Sequence, residues 1–283
     1  MEHAPGPVAA QGRTAQICSY GPDQILKWFK ENIPRLAAEQ EMTAARFAAS
    51  AGLPVPRALF LSEWQGRPAI AFQRIEGRSM LAVLFRQPWR IASSGAALAR
   101  LHVDIHTKGA GPDSGLPSQI DWLSRRIQAA PLLAEPEKAA AIAALHRLPA
   151  GRQLLHGDFH PGNVLLGKGG KLWVIDWMTA VYGHPAADAA RTVLLLRTAA
   201  LPAELSRLSG FLFEAVRSLL LRQYRRSYLR LSGLEAAELE AWMLPLAAAR
   251  LCEELPPEEK LLLHKLVQRE LRRLGPRQPA PAS

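Results

Sequence analysis

The stretch Leu154–Trp177, LLHGDFHPGNVLLGKGGKLWVIDW, sets histidines, aspartates and an asparagine between short apolar runs. It reads as strand, loop, strand, a Gly-Lys-Gly-Gly turn and a further strand. Polar groups at the ends of such strands have three readings: a metal shell, a reacting centre or plain turn chemistry. His156, Asp158 and His160 alternate as ligands on a strand would, and imidazoles with a carboxylate suit zinc or iron. A Pro-Gly pair follows at once, and His184 is the other nearby candidate, so a His-based shell is left incomplete.

Phosphoryl transfer accounts for more of these residues. It needs a carboxylate to orient the attacking hydroxyl and take its proton, oxygen ligands for Mg²⁺, and a cation on the phosphates. Asp158 is followed five positions later by Asn163, the spacing of a kinase catalytic loop. A carboxamide oxygen suits hard Mg²⁺. Thirteen residues beyond Asn163, Asp176 ends the run KLWVID, where a second magnesium ligand is expected. Asp158 is therefore read as the catalytic base, with Asn163 and Asp176 as metal ligands.

The rest of the chain gives this segment a setting. At 283 residues with 48% hydrophobic content, a full core is expected. Cys18 and Cys252 stand far apart, which excludes a disulfide scaffold or zinc ribbon and suits a reducing cytoplasm. The start, MEHAPGPVAAQGR, does not read as a signal peptide, and Arg or Glu interrupts every long apolar run. A cytoplasmic location without membrane association is expected. The net charge of +10 raises the question of nucleic acid. The densest basic run, LRQYRRSYLR from Leu221 to Arg230, is spaced as the solvated face of a helix, so no nucleic-acid partner is expected.

Residues 12 to 29 alternate around Gly-Pro-Asp as two strands would, and a helix is expected from Pro34 to Gly52. Two more strands are expected around a Gly-Arg-Pro turn at residues 66 to 68. Residues 79–106, 117–147 and 185–274 have helical texture. The expected organisation is α+β in two lobes. A small β-rich lobe with one helix covers residues 1–76, and a larger, mostly helical lobe covers 77–283. Residues 1–10 and the tail from about 275 are expected to fray. Ligands often bind where two lobes meet.

HGDFHPGN followed by VIDW resembles the aminoglycoside phosphotransferase and choline kinase family, small-molecule kinases with a protein-kinase-like fold. The resemblance runs from about Gly12 to Glu259 and is strongest from 154 to 191. It implies ATP and Mg²⁺ as cofactors and a hydroxyl of a small molecule as acceptor. It implies that His156 braces the catalytic loop rather than reacts, and that Gly157 replaces the arginine of protein kinases. It also implies a strand lysine on the nucleotide phosphates, which Lys27 in QILKWF fits, and a glutamate on the inserted helix. Glu41 is preferred for that partner, with Glu39 the alternative. Lys27 then reads as a cleft side chain rather than core.

By the same resemblance, the turn of Gly12, Arg13 and Thr14 covers phosphates with backbone N–H groups. The connector QRIEG, with Arg74, Ile75 and Glu76, gives backbone groups to the adenine edge, and Ile75 or Phe72 lies against the ring. Asp188 supports the catalytic loop, or serves as a carboxylate at a helix N-terminus. The acceptor pocket falls near ARLCEELPPEE, Ala249 to Glu259, where Glu253 or Glu254 would meet a cationic acceptor or simply form a charged helix end. Homoserine, choline, sugars and aminoglycosides stay open as acceptors. The alternatives are an inactive nucleotide-binding module of the same fold and a basic RNA-associated protein.

Overall fold

A computed structural model describes residues 5–198 and 207–275. The N-terminal region is a five-stranded antiparallel sheet in the order β1-β2-β3-β5-β4. Its strands are β1 (Val8–Gln11), β2 (Ala15–Ser19), β3 (Gln24–Phe29), β4 (Ala58–Trp64) and β5 (Arg67–Gln73). Between β3 and β4 runs helix α1 (Arg35–Ser50). Residues 8–11 thus form an edge strand rather than a free end. The β4–β5 turn is Gln65-Gly66, both at positive φ, while Arg67 and Pro68 already belong to β5. The Gly-Arg-Pro turn expectation gives way because Pro68 lies near the start of β5, outside the stretch paired with β3, where its missing N–H costs no ladder bond to that strand.

Strand alternation decides what β3 presents. Leu26 joins Cys18, Ala69 and Ala71 on one face, while Phe29 joins the main core on the other. Lys27 shares the Phe29 face. Helix α1 packs against β4 and β5 through Ala38, Ala44, Ala45 and Ala48, whose small side chains allow close approach. Glu41 lies on that same buried stripe.

A short strand, β6 (Gly77–Ser79), leads into α2 (Met80–Arg86), α3 (Ile91–His106), α4 (Gln119–Gln128) and α5 (Glu135–Leu145). The Ser79 hydroxyl caps α2 by accepting from the Ala82 N–H. The decisive stretch then supplies β7 (Gln153–Leu155), β8 (Val164–Gly167) and β9 (Leu172–Val174), followed by β10 (Val181–Gly183). β6, β8 and β9 form one antiparallel sheet, and β7 pairs with β10. The sequence reading had missed β6 and β10, three-residue strands defined only by their distant partners.

The remainder is helical: α6 (Pro185–Thr198), α7 (Arg207–Ser232), α8 (Ala236–Ala241), α9 (Met243–Arg250) and α10 (Pro257–Arg273). α7 packs along α3. It carries the basic run, and it buries Tyr224 and Tyr228 while Arg225 pairs outward with Glu240. No helix among the described residues is long and apolar enough to cross a membrane. The architecture is a β-sheet region followed by a helical region, as expected from the sequence.

Candidate functional site

β3 and α1 bring Lys27 to Glu41. The Lys27 Nζ donates to both Glu41 carboxylate oxygens at 2.7 Å. It also donates to Asp176 Oδ1 at 2.9 Å, across 149 positions of sequence. Lys27 is 8% exposed and Glu41 2%, so the pair is part of the packed interior, contrary to the reading of Lys27 as a non-core side chain. Burial opposes the ammonium charge, but Glu41 and Asp176 outweigh it and hold the Lys27 pKa above its ordinary value. Glu39 lies on the exposed side of α1 and pairs with Arg35. Asp176 has φ +66°, a left-handed conformation unusual for a residue with a side chain and common at functional sites.

The loop after β7 carries His156, Gly157 and Asp158. Asn163 Nδ2 donates to the Asp158 carbonyl at 2.9 Å and lies 3.4 Å from its Oδ2. The Asn163 amide oxygen is thereby turned away from that contact. Asp158 Oδ2 is 3.5 Å from His160 Nε2, and Oδ1 is 3.5 Å from an Arg191 nitrogen. Burial works to raise the Asp158 pKa, but His160 and Arg191 prevail and keep it far below the usual carboxylate range. His156 is fully buried. Its Nε2 donates to the Ile175 carbonyl at 3.0 Å, and its Nδ1 accepts from the Asp158 N–H at 3.2 Å. Both ring nitrogens are thus committed to the backbone, and His156 braces the loop.

Gly157 has φ +77°, and a Cβ there would lie 2.2 Å from the Thr179 carbonyl oxygen. No side chain fits, which is the physical reason an arginine cannot stand at this position.

Asp188, in the first turn of α6, holds the loop from below. Its Oδ2 accepts from the His156 N–H at 2.7 Å and its Oδ1 from the Gly157 N–H at 3.0 Å. His102 and His106 of α3 bring Nε2 to Asp188 Oδ2 at 3.1 and 3.2 Å. Their Nδ1 atoms each meet a tyrosine hydroxyl, Tyr224 and Tyr228, at 2.7 Å. Burial works to raise the Asp188 pKa, but His102 and His106 hold it well below the usual range. Burial pushes the His102 imidazolium down to about 3, so the ring is neutral. Among the described residues these three are the groups close enough to share a metal ion. The hydrogen bonds on both histidines already account for their ring nitrogens. The His156, His160 and His184 set does not assemble as a shell.

The surroundings of Glu253 differ from the expectation of a carboxylate open to an acceptor. Its Oε1 accepts from Arg126 and Arg191 at 3.0 Å each, and its Oε2 is 3.5 Å from Arg250. Arg250 also donates to Glu259 at 2.7 Å. Glu253 therefore offers no free carboxylate to a cationic acceptor, and three arginines hold it ionised against its burial. Glu254 is exposed.

The remaining expected nucleotide contacts are less closely knit. The turn of Gly12, Arg13 and Thr14 joins β1 to β2, with the Thr14 carbonyl accepting from the Lys30 N–H at 2.9 Å. The Arg74 N–H donates to the Asp23 carbonyl at 2.8 Å and is not free for an adenine edge. Glu76 pairs with Lys168 at 2.6 Å. Phe72 is 8% exposed, inside the sheet. Sequence reasoning missed His102, His106, Arg126, Arg191 and Arg250. The paired spacings in LHVDIH and QYRRSY were a usable signal for the buried histidines and tyrosines.

The structure thus brings a strand lysine onto a helix glutamate and Asp176, and the Asp-x4-Asn loop next to them through the Ile175 N–H, which donates to the Asn163 carbonyl at 3.0 Å. Residues 21–219 match the sequence model of the APH family, described as "Phosphotransferase enzyme family", and the chain belongs to that family. Similar folds include aminoglycoside phosphotransferase APH(4)-Ia, with a TM-score of 0.66 at 17% identity, covering 94% of this chain and 92% of that one. Choline kinase LicA from Streptococcus pneumoniae gives 0.59 at 12% identity, covering 96% and 95%. The GDP complex of aminoglycoside 2'-phosphotransferase-IIIa gives 0.57 at 15%, covering 97% and 94%. Another structure of APH(4)-Ia is a ternary complex with AMP-PNP and hygromycin B. At these identities the likeness is one of fold. No curated protein sequence matches significantly.

Proposed function

We propose that this phosphotransferase moves the γ-phosphoryl group of ATP to a hydroxyl of a small molecule, with Asp158 as catalytic base. The observation that carries the reading is the convergence of Lys27 with Glu41 and Asp176, beside the Asp158–Asn163 pair. Residues 1–76 form the nucleotide-binding lobe in this reading, and 77–283 supply the base and the acceptor pocket. Lys27, held rigidly by Glu41, meets the nucleotide phosphates. The backbone of Ile75 and Glu76 meets the adenine edge.

The donor set fits a hard cation. Asn163 keeps a carboxamide oxygen outside its hydrogen bonds to Asp158, and Asp176 keeps Oδ2 outside its ion pair with Lys27. Mg²⁺ held by these two would neutralise charge on the phosphates. Asp158 orients the acceptor hydroxyl and takes its proton as the new O–P bond forms and the bond to the leaving ADP oxygen breaks. The Asp158 carboxylate is ionised, and His160 and Arg191 hold it in place.

The test is Asp158→Asn, assayed for Mg·ATP binding by calorimetry and for ADP release with acceptor. Binding is expected to stay within a few-fold while transfer falls by roughly 10² or more. Equal transfer by parent and variant would remove Asp158 as the base.

A further inference from the structure

The loop after β7 carries two histidines with the same local geometry. In each, Nδ1 accepts the backbone N–H two residues on: His156 from Asp158 at 3.2 Å, His160 from Gly162 at 3.0 Å. A ring nitrogen that accepts an N–H carries no proton, so each imidazole has its single proton on Nε2. The two rings differ in what that proton faces. His156 gives it to the Ile175 carbonyl, a backbone group. His160 turns it toward Asp158, with Nε2 3.5 Å from Oδ2.

The His160 ring is held in place from several sides. The Phe159 carbonyl before it accepts from Thr192 Oγ1 at 2.7 Å, and its own carbonyl accepts from the Asn163 N–H at 2.9 Å. Gly162 makes room for the ring: a Cβ there would lie 2.7 Å from Cε1 and 2.9 Å from Nδ1. Gly162 is not among the glycines at positive φ, so its missing side chain serves the ring rather than the backbone. The His160 side chain is 29% exposed, while that of Arg191, on the other carboxylate oxygen, is 5% exposed. Of these two, His160 stands at the open side of Asp158.

We propose that His160 is a positioning residue for the base: its Nε2–H, fixed in direction by the Gly162 N–H, donates to Asp158 Oδ2 and sets the carboxylate toward the acceptor hydroxyl during transfer. This rests on the phosphotransferase reading in which Asp158 is the base. Contacts of this length at a catalytic carboxylate tighten as reactants bind. The same geometry keeps the ring out of the proton path. Nε2 already holds a proton and Nδ1 is closed by the backbone, so the proton taken by Asp158 does not pass through His160.

Two measurements on the full chain test this. The first is nitrogen NMR of histidine-labelled protein at neutral pH, with His160 assigned by its loss in His160→Gln. The Nε2–H tautomer is expected, with a resonance that moves in Asp158→Asn. An Nδ1–H tautomer, a doubly protonated ring or a resonance indifferent to Asp158→Asn overturns the proposal.

The second follows ADP release with Mg·ATP, offering water, choline and hygromycin B as acceptors. His160→Ala is expected to lower kcat by about 10- to 100-fold while KM for ATP stays within a few-fold. His160→Gln, whose amide N–H reaches the place of Nε2, is expected to recover part of the loss. Gly162→Ala is expected to lower kcat in the parent by displacing the ring, and to add little in His160→Ala, where no ring is displaced. An unchanged kcat in His160→Ala, no recovery in His160→Gln, or an equal Gly162→Ala loss with and without the ring overturns the proposal. If the parent releases no ADP with any of these acceptors, water included, the resonances decide alone. Absence of Mg·ATP binding in calorimetry overturns the phosphotransferase reading itself and leaves the His160–Asp158 contact to stand or fall on the resonances.

Discussion

Replacing Gly157 by alanine adds one carbon where the fold has no room for it. Two costs follow, and they can be separated. The first is conformational: φ is +77°, and a residue with a Cβ pays about 1–2 kcal/mol in the left-handed region. The second is steric: the new Cβ falls 2.2 Å from the Thr179 carbonyl oxygen, so backbone must shift by roughly 1 Å, at about 1–3 kcal/mol. Gly169 serves as the control. It has φ +67° with nothing within 4 Å of an added Cβ, so Gly169→Ala carries the first cost alone. Gly169→Ala is expected to lower Tm by about 2–4 °C, and Gly157→Ala by about 5–10 °C.

The shift also reaches the chemistry. Thr179 Oγ1 donates to the His156 carbonyl at 3.2 Å, so moving Thr179 moves the loop bearing Asp158. A misplacement near 1 Å costs about 10²-fold in turnover. Parallel thermal melts and ADP-release assays of the two variants are the measurement, with Mg·ATP affinity expected to hold within a few-fold. A Gly157→Ala protein no less stable and no less active than Gly169→Ala would show that the Thr179 contact relaxes freely, and the steric argument would fail.

Lys27→Ala is expected to lower kcat/KM for ATP by about one to three orders of magnitude, and also to destabilise the fold, because it leaves Glu41 buried without its partner. Unchanged chemical-denaturation stability would contradict the buried-pair description. Asp176→Ala should weaken Mg·ATP binding in calorimetry, and chelating divalent cations should abolish turnover in the parent; full activity with chelator present would sink the magnesium assignment. Stability should fall on acidification. His102 is held neutral with its pKa lowered to about 3, so below an unfolded value near 6.5 the unfolded chain binds the extra proton and the folded chain does not. The contribution is full above that pH and is lost toward pH 3, at about 1.4 kcal/mol per pH unit. Denaturant midpoints at pH 7 and pH 5.5 measure it, and equal midpoints would refute it.

The proposed reacting centre is readable in the sequence because its parts are local. Asp158, Asn163 and Asp176 lie within one strand–loop–hairpin unit, where spacing alone fixes geometry. Glu41 was also within reach by helical phase: it falls three and four residues from Ala38 and Ala45 on the buried stripe, whereas Glu39 does not. The support beneath the loop was not readable in this way. His102 and His106 of α3 reach Asp188 of α6 across 86 and 82 positions, and Tyr224 and Tyr228 of α7 across 122. The arginine set was hidden for the same reason: α4, α6 and the segment after α9 converge on one carboxylate. The run from Ala249 to Glu259 looked acidic in sequence because only one of the cations that pair with it, Arg250, lies within it, while Arg126 and Arg191 come from α4 and α6.

Asp188 takes the N–H groups of His156 and Gly157 into a core where it is itself 2% exposed. Those two amides are expected to exchange slowly with deuterated solvent, through an opening that releases Asp188. The segment that carries the proposed base is then expected to be among the slower-exchanging parts of the molecule, unlike the mobile loops that often hold such residues. Adaptation to a new acceptor is then expected through residues outside this loop, which can be exchanged while the loop and its anchor stay as they are.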